Sequence, residues 1–411
     1  MADGDQDWLA KAKAARQAGR LDEAAAHLDR LLAEQPGLAP AWNLLGLVQL
    51  ESGHGAPASQ SFQRTVELDP APPFGWFNLA RALRALGQHE AELGALDEAL
   101  SRDAYFLPAI VAKGLALRAL GRNDDACELY RLLFEGLGDI SQLPDGLRRE
   151  LDEARAHLDR RSDKALDVNE RRVAQVAERF PEVDLSRAKA FAQNAAGKRK
   201  IYQQRPTGAH FPFLPAFEFF DRKLFPWFDE LESHTDAVRE ELLALWAADD
   251  PNFRPYVARP PGTPLDQWSE LNHSPRWSAF FFWENGRRDD ANCARCPRTA
   301  AAIESLPVLD FPGKGPTAMF SILKPHTRIP PHTGTTNART TIHLPLVVPP
   351  GCGYRVGADV REWREGEAWA FDDTIEHEAW NDSDSPRALL IIDAWNPLLT
   401  EAEREVVRLI G

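Results

Sequence analysis

Three shortages in this sequence each exclude a class of protein. Cysteine is scarce: Cys127, Cys293, Cys296 and Cys352 are four in 411 residues, too few for a disulfide framework, and this usage predicts a reducing, cytoplasmic setting. No stretch approaches the ~20 apolar residues that span a bilayer. The first residues, MADGDQDWLAKAK, lack the basic and apolar regions of an export signal, so no membrane association is expected. Basic side chains are outnumbered, 48 against 62 acidic, for a formal net charge of -14. A surface of that sign repels a phosphate backbone, and nucleic acid is not an expected partner. The short cluster Lys198, Arg199, Lys200 and Arg205 reads as a solvated linker.

What is present begins with a period. Gly19, Gly53, Gly87 and Gly121 lie 34 residues apart, and Trp8, Trp42, Trp76 and Ile110 each lie 11 residues before one of them. Pro36 and Pro70 fall 17 residues after the first two glycines. Thirty-four residues is the length of the tetratricopeptide repeat, and four repeats are indicated. Each reads as two helices: the glycine ends the first, and Ala24, Leu28 and Leu31 line one face of the second. Small Gly46 marks a place where a neighbouring helix comes close. A single pair cannot bury its own apolar face, so the pairs must stack, leaving a concave groove that suits a peptide. From about 139 to 200 the helical pattern continues without the phase, as a cap and connector.

Beyond about residue 275 the period changes. Short runs with strand character, WSAFFFW, TAMFSIL, TTIHLPLVV, YRVGA, EAWAF and RALLIIDAW, are separated by turn residues, which argues a β-sandwich or small barrel. A helix is expected around DAVREELLALWAAD. Four of the eleven histidines, His326, His332, His343 and His377, fall within 52 residues here. Two imidazoles from distant strands, with other positions open, are what non-haem Fe(II) oxygenases use, usually with a carboxylate as third ligand. The residue two after His332, where that carboxylate normally sits, is Gly334. Arg387, ten residues after His377, supplies a guanidinium able to grip a dicarboxylate's far end in a bidentate pair. Cys293-x-x-Cys296 lacks a second ligand pair and carries no assigned role.

The stretch from about Trp277 to Pro397 resembles the aspartyl/asparaginyl β-hydroxylase family, Fe(II)- and 2-oxoglutarate-dependent oxygenases with a double-stranded β-helix fold. The resemblance is carried by WSAFFFWENGRR, CPRTAAAIESLP, FSILKPHTRIPPHTGTTNARTTIHLPLVVPPGCGYRVG, WREGEAWAFDDTIEHEAW and IIDAWNP. It implies His332 and His377 as iron ligands, with glycine at 334 as in the family. It implies Ser321, His343 and Arg387 as 2-oxoglutarate contacts and Asp373 as an acid near the iron. It departs where the family commonly has Arg-x-His: this chain has Thr341-Ile342-His343, and Arg339 two residues earlier is the substitute considered for substrate contact. Ala279 and Asn272 stand where polar substrate-gripping residues are expected.

The organisation expected is multidomain, α and β: an all-α tetratricopeptide solenoid over 1–138, a helical connector over 139–200, and a double-stranded β-helix (jelly-roll, cupin-like) oxygenase over 201–411. The activity implied is oxidative decarboxylation of 2-oxoglutarate with O2 and Fe(II), coupled to hydroxylation of an unactivated C–H bond in an Asp, Asn or other residue of a peptide or protein recruited by the repeats. Trp369, Phe371, Trp380 and Trp395 are candidates to wall the site. Three alternatives stay open: a non-catalytic adaptor with a degenerate ligand-sensing β domain, a free amino acid or lipid acyl substrate, and halogenation through a halide at the Gly334 position.

Overall fold

The computed structural model describes residues 3–248, 250–311 and 313–410; the outermost positions of the expected repeat and oxygenase segments, 1–2 and 411, lie outside the described residues. The chain divides into two compact units, 1–198 and 199–411. Among the described residues no helix is long and apolar enough to cross a membrane.

The first unit begins with four helix pairs: α1 Asp3–Gln17 with α2 Leu21–Glu34, α3 Ala39–Glu51 with α4 Gly55–Leu68, α5 Pro73–Ala85 with α6 His89–Arg102, and α7 Leu107–Ala119 with α8 Asn123–Gly136. The 34-residue glycine period is the period of one backbone device. Gly19, Gly53, Gly87 and Gly121 all adopt left-handed backbone, with φ between 70° and 81°. Each donates its N–H three residues back while the next residue donates five back, as in Gly19 to Arg16 and Arg20 to Ala15. That is a Schellman cap, which ends the first helix of each pair and turns the chain into the second. The tryptophan and proline phases are likewise one repeated bond: the Trp42 indole donates to the Pro36 carbonyl (2.8 Å) and Trp76 to Pro70 (3.0 Å). At Gly46 a Cβ would overlap the Phe62 ring, so the small residue does admit its neighbour. Ala24, Leu28 and Leu31 are fully buried with Ala41 and Leu45 of the next pair, so the core lies between pairs. Two further helices, α9 Asp145–Arg179 and α10 Ser186–Ala195, follow and pack on each other.

The second unit holds two antiparallel sheets. The strands are β1 Arg254–Pro255, β2 Trp277–Glu284, β3 Arg287–Arg288, β4 Ala318–Leu323, β5 Thr327–His332, β6 Arg339–Val347, β7 Cys352–Val356, β8 Asp359–Arg361, β9 Trp369–Phe371, β10 His377–Asn381 and β11 Arg387–Trp395. The larger sheet has the order β1-β2-β4-β11-β6-β9 with β3 on β2, and the smaller β5-β10-β7-β8. From β4 onward the chain crosses repeatedly from one sheet to the other, the winding of a double-stranded β-helix. Helices α11 Phe228–Ser233, α12 Thr235–Ala247, α13 Asp290–Arg295 and α14 Pro297–Glu304 accompany the sheets, and α15 Glu401–Ile410 ends the chain.

Period-two alternation sorts the larger sheet's side chains. Even-numbered Phe280, Phe320, Ile322, Ile342, Leu344, Leu390 and Ile392 pack with Leu231, Val238, Leu242 and Ile303 of the helices. Odd-numbered residues of β4, β6 and β11 face the other way, and among these lie the polar residues of the site. Covered on both faces, β4 and β11 are buried almost throughout, which is why they read as continuous apolar runs.

Among the strands that escaped the sequence pattern, β5 and β10 carry the two candidate metal ligands. β5 contains Pro330 and Pro331 and lies at an edge of its sheet, where a missing N–H costs no ladder bond. β10 reads HEAWN, with no apolar run to mark it.

Candidate functional site

Between the sheets lies a cavity of about 290 Å³, lined among others by Ser321, His332, Gly334, Arg339, Thr341, His343, Asp373, His377, Arg387 and Asp393. Every residue expected to contact metal, cosubstrate or substrate, namely Ser321, His332, Arg339, His343, Asp373, His377 and Arg387, therefore faces one space. His326, the fourth clustered histidine, does not; it is exposed and pairs with Asp384 at 3.0 Å.

His332, the last residue of β5, and His377, the first of β10, are direct partners across the strand pair, and their ring centroids are 4.0 Å apart. The register slips by one residue just after His377, a bulge of the kind that re-aims side chains at sites. Each ring is fixed in the same way: Nδ1–H of His332 donates to the Pro330 carbonyl (2.8 Å) and Nδ1–H of His377 to the Ile375 carbonyl (2.9 Å). A carbonyl can only accept, so both Nδ1 atoms carry the proton and both Nε2 atoms keep a lone pair. Burial pushes both imidazoles' pKa down, His377 the further, so both are neutral, the form that ligates a metal. Among the described residues no group of three or more His, Cys, Asp or Glu is arranged to hold a metal ion.

At one end of the cavity the guanidinium of Arg387 is 1% exposed, stacked over the Trp363 ring at 4.9 Å. Its Nε and Nη1 have no hydrogen-bond partner. Burial lowers its pKa to about 10, which still leaves it cationic at neutral pH. A buried, unpaired cation is expensive unless an anion completes it. Two more donors face the same space. The Trp277 indole donates to Ser321 Oγ (3.1 Å), leaving the hydroxyl proton for a ligand. The Trp363 indole donates to His343 Nδ1 (3.3 Å); because burial and Arg387 hold that imidazole neutral, its proton is on Nε2. These side chains and the two neutral imidazoles fit a small carboxylate-bearing chelator of a metal.

At the other end Arg339 bonds to Asp373 (2.6 Å) and Asp393 (3.1 Å). A Cβ at position 334 would overlap the Asp373 carboxylate, and the Gly334 N–H donates to the Asp373 carbonyl (2.6 Å). Glycine is thus required because an acid from the turn that follows β9 already fills the place of a ligand carboxylate. A halide there would meet that anion, which removes the physical ground for halogenation.

Sequence reasoning did not single out Asp393, Trp277, Trp268 or Trp363. Asp393 had a signal: it is the acid in an apolar strand, at even spacing from Arg387 and so on the same face. Trp268, edge-on to His332 at 4.8 Å, lies in a loop with no periodicity to read. Of the aromatic wall candidates, Phe371 lines the cavity and Trp369 packs on His343 at 4.9 Å. Trp380 and Trp395 do not line it; Trp395 donates to Asp310 (2.6 Å) and Trp380 packs over Gly353, as core and surface residues do. Cys293 and Cys296 are buried free thiols, and burial raises both pKa values, that of Cys296 to about 12, which makes them poor nucleophiles and ligands.

Residues 232–397 match a family model described as aspartyl/asparaginyl beta-hydroxylase. The chain is similar to aspartyl/asparaginyl beta-hydroxylase of Homo sapiens, at 33% identity over 180 residues, 44% of this chain and 24% of that one. It is similar to ornithine lipid ester-linked acyl 2-hydroxylase of Rhizobium tropici, at 35% over 188 residues, 44% of this chain and 62% of that one. Aspartate beta-hydroxylase domain-containing protein 2 of Mus musculus is 32% identical over 212 residues, 50% of this chain and 59% of that one. The chain thus spans about a quarter of the first relative and about three-fifths of the other two. Among solved structures it is similar to MamA, with TM-score 0.29 and 20% identity over 37% of this chain and 96% of that one. A thermophilic TPR protein of Thermus thermophilus gives TM-score 0.33 and 23% identity over 47% of this chain and 98% of that one.

Proposed function

We propose that the chain, whose residues 232–397 match the aspartyl/asparaginyl beta-hydroxylase model, is an Fe(II)- and 2-oxoglutarate-dependent dioxygenase. It hydroxylates an unactivated C–H bond of an Asp, Asn or other residue in a peptide or protein recruited by the repeat unit. His332 and His377 would hold the iron, each offering the nitrogen that keeps its lone pair. Ser321, His343 and Arg387 would hold the far carboxylate of 2-oxoglutarate, and Asp373, which lines the same cavity, would lie near the metal. Bound iron, with 2-oxoglutarate and O2, supplies an oxidant strong enough for an aliphatic C–H bond.

The chain's own work is placement. Arg387, fixed on Trp363, sets one end of the cosubstrate with a charge-assisted fork, and the Ser321 hydroxyl and His343 Nε2–H add donors from neighbouring strands. The carbonyls of Pro330 and Ile375 hold the two imidazoles in the ligating tautomer before any metal arrives. Trp268, Tyr354 and Phe371 line the space with apolar rings that exclude water from the reacting centre. The observation that carries this reading is the buried Arg387 with two unpaired nitrogens in the same cavity as the two imidazoles. A ligand-sensing adaptor would use the cation alone; the two imidazoles held in ligating form in the same cavity favour the enzyme.

Anaerobic titration with Fe(II) and 2-oxoglutarate tests it. A metal-to-ligand charge-transfer band is expected, absent in His377→Ala, and with the 2-oxoglutarate midpoint raised about tenfold to a hundredfold in Arg387→Lys. No band in the unaltered protein overturns the reading. The similarity to an acyl 2-hydroxylase, as strong as that to the human enzyme, supports a second substrate reading, a lipid acyl chain. A mass increase of one oxygen on captured peptides or on lipids separates the two.

A further inference from the structure

We infer that the end of the cavity that receives the substrate takes a neutral carboxamide or a cationic group and rejects a carboxylate. The inference rests on the hydroxylase reading above and narrows its substrate class.

The cavity is electrically polar along β11. Arg387 and Asp393 share a face six residues apart, roughly 20 Å at ~3.3 Å per residue, so they mark opposite ends. Four charged side chains other than histidine line the space: Arg339, Asp373, Arg387 and Asp393. Arg387 is the cation with an unpaired fork, and the cosubstrate's carboxylate completes it. The other end holds one guanidinium between two buried carboxylates, Arg339 with Asp373 and Asp393. Although Arg339 Nε has no partner, the charge on that side chain is already matched by two anions.

Thr341, which would supply a second guanidinium were it arginine, is paired with Asp393 across the strands and lines the same cavity. A substrate carboxylate arriving here therefore meets two carboxylates and no uncompensated cation, which is repulsive in a site with little water. An amide N–H or an ammonium group instead finds acceptors, among them Asp373 Oδ1, which is buried and has no partner. Lys200 and Arg205 do not alter this count, because they line an adjoining cavity, with Glu376, that shares Trp268, His332 and Thr333 with this one.

The test uses the iron-loaded full chain with three peptide libraries, random in their flanks and fixed at the centre as Asn, Lys or Asp. The charge-transfer band is measured first, so that failure of the hydroxylase reading shows as a missing band whatever the libraries do. With the band present, mass spectrometry should show oxygen incorporated into the Asn or Lys library in preference to the Asp library by about tenfold or more. Thr341→Arg should shift that ratio toward Asp, and so should Asp393→Asn, which removes one of the two acids facing Arg339 without adding bulk. Equal or greater oxidation of the Asp library by the unaltered protein, or a ratio unmoved in both variants, overturns the inference.

Discussion

The two units keep their defining contacts at different distances along the chain. In the repeat unit each cap closes within six residues, and Trp42 and Trp76 each reach a proline six residues back, so one pair's geometry is complete almost locally. In the second unit the site exists only through pairings across long separations: His332 with His377, and Ser321 and His343 with residues of the strand that begins at Arg387. The contents differ too. The repeat core is largely alanine and leucine, with Glu92 buried against Arg84 and His89, whereas the second unit buries Asp373, Asp393, Arg387 and two histidines around a cavity. A solenoid tolerates local damage because its stability is spread over neighbours; a site of buried polar groups concentrates its vulnerability.

That contrast can be broken in three ways. The largest effect is acid lability. Burial holds the pKa values of His343 and His377 well below normal, so the folded chain refuses protons that the unfolded chain accepts. Stability is therefore full above the unfolded value of about 6.5 and falls below it, by about 1.4 kcal/mol per pH unit for each histidine. His332 adds in the same direction. Thermal melts of the metal-free protein between pH 7.5 and 5.5 should show the loss, and His343→Gln should flatten it; an unchanged melting temperature would refute it.

Next comes Gly334→Asp, which recreates the usual third ligand by type but drives it into the Asp373 carboxylate. It should cost about 3 kcal/mol, from overpacking and like charge together, and fail to strengthen Fe(II) binding. Gain of metal affinity with unchanged stability would show that Asp373 yields its place.

The smallest effect belongs to the repeat unit. Gly87→Ala puts a Cβ on left-handed backbone at a cap and should cost about 1 kcal/mol while leaving the charge-transfer band intact. A band altered by this change would mean that the two units are energetically one.

Legibility followed the same divide. The glycine, tryptophan and proline phases were readable because each is a bond between near neighbours. Strands β4, β6 and β11 were readable because burial on both faces leaves an apolar run. β5 and β10 were not: prolines at a sheet edge and a polar five-residue strand carry no periodic mark, and what makes them strands is their partner. Trp268 reaches His332 from an irregular loop, for which no local rule exists.

By itself the sequence determined the repeat, the strand-rich second half and the residue types able to bind iron and a dicarboxylate, because those follow from spacing and side-chain chemistry. Only the tertiary structure decided which way each polar residue faces and what already occupies its neighbourhood. It shows Asp373 in the place Gly334 leaves, Arg339 committed to two acids and Arg387 left unpaired. The reason is physical: hydrogen-bond satisfaction of a buried charge is a property of the neighbours that folding brings, and those neighbours are distant in the chain.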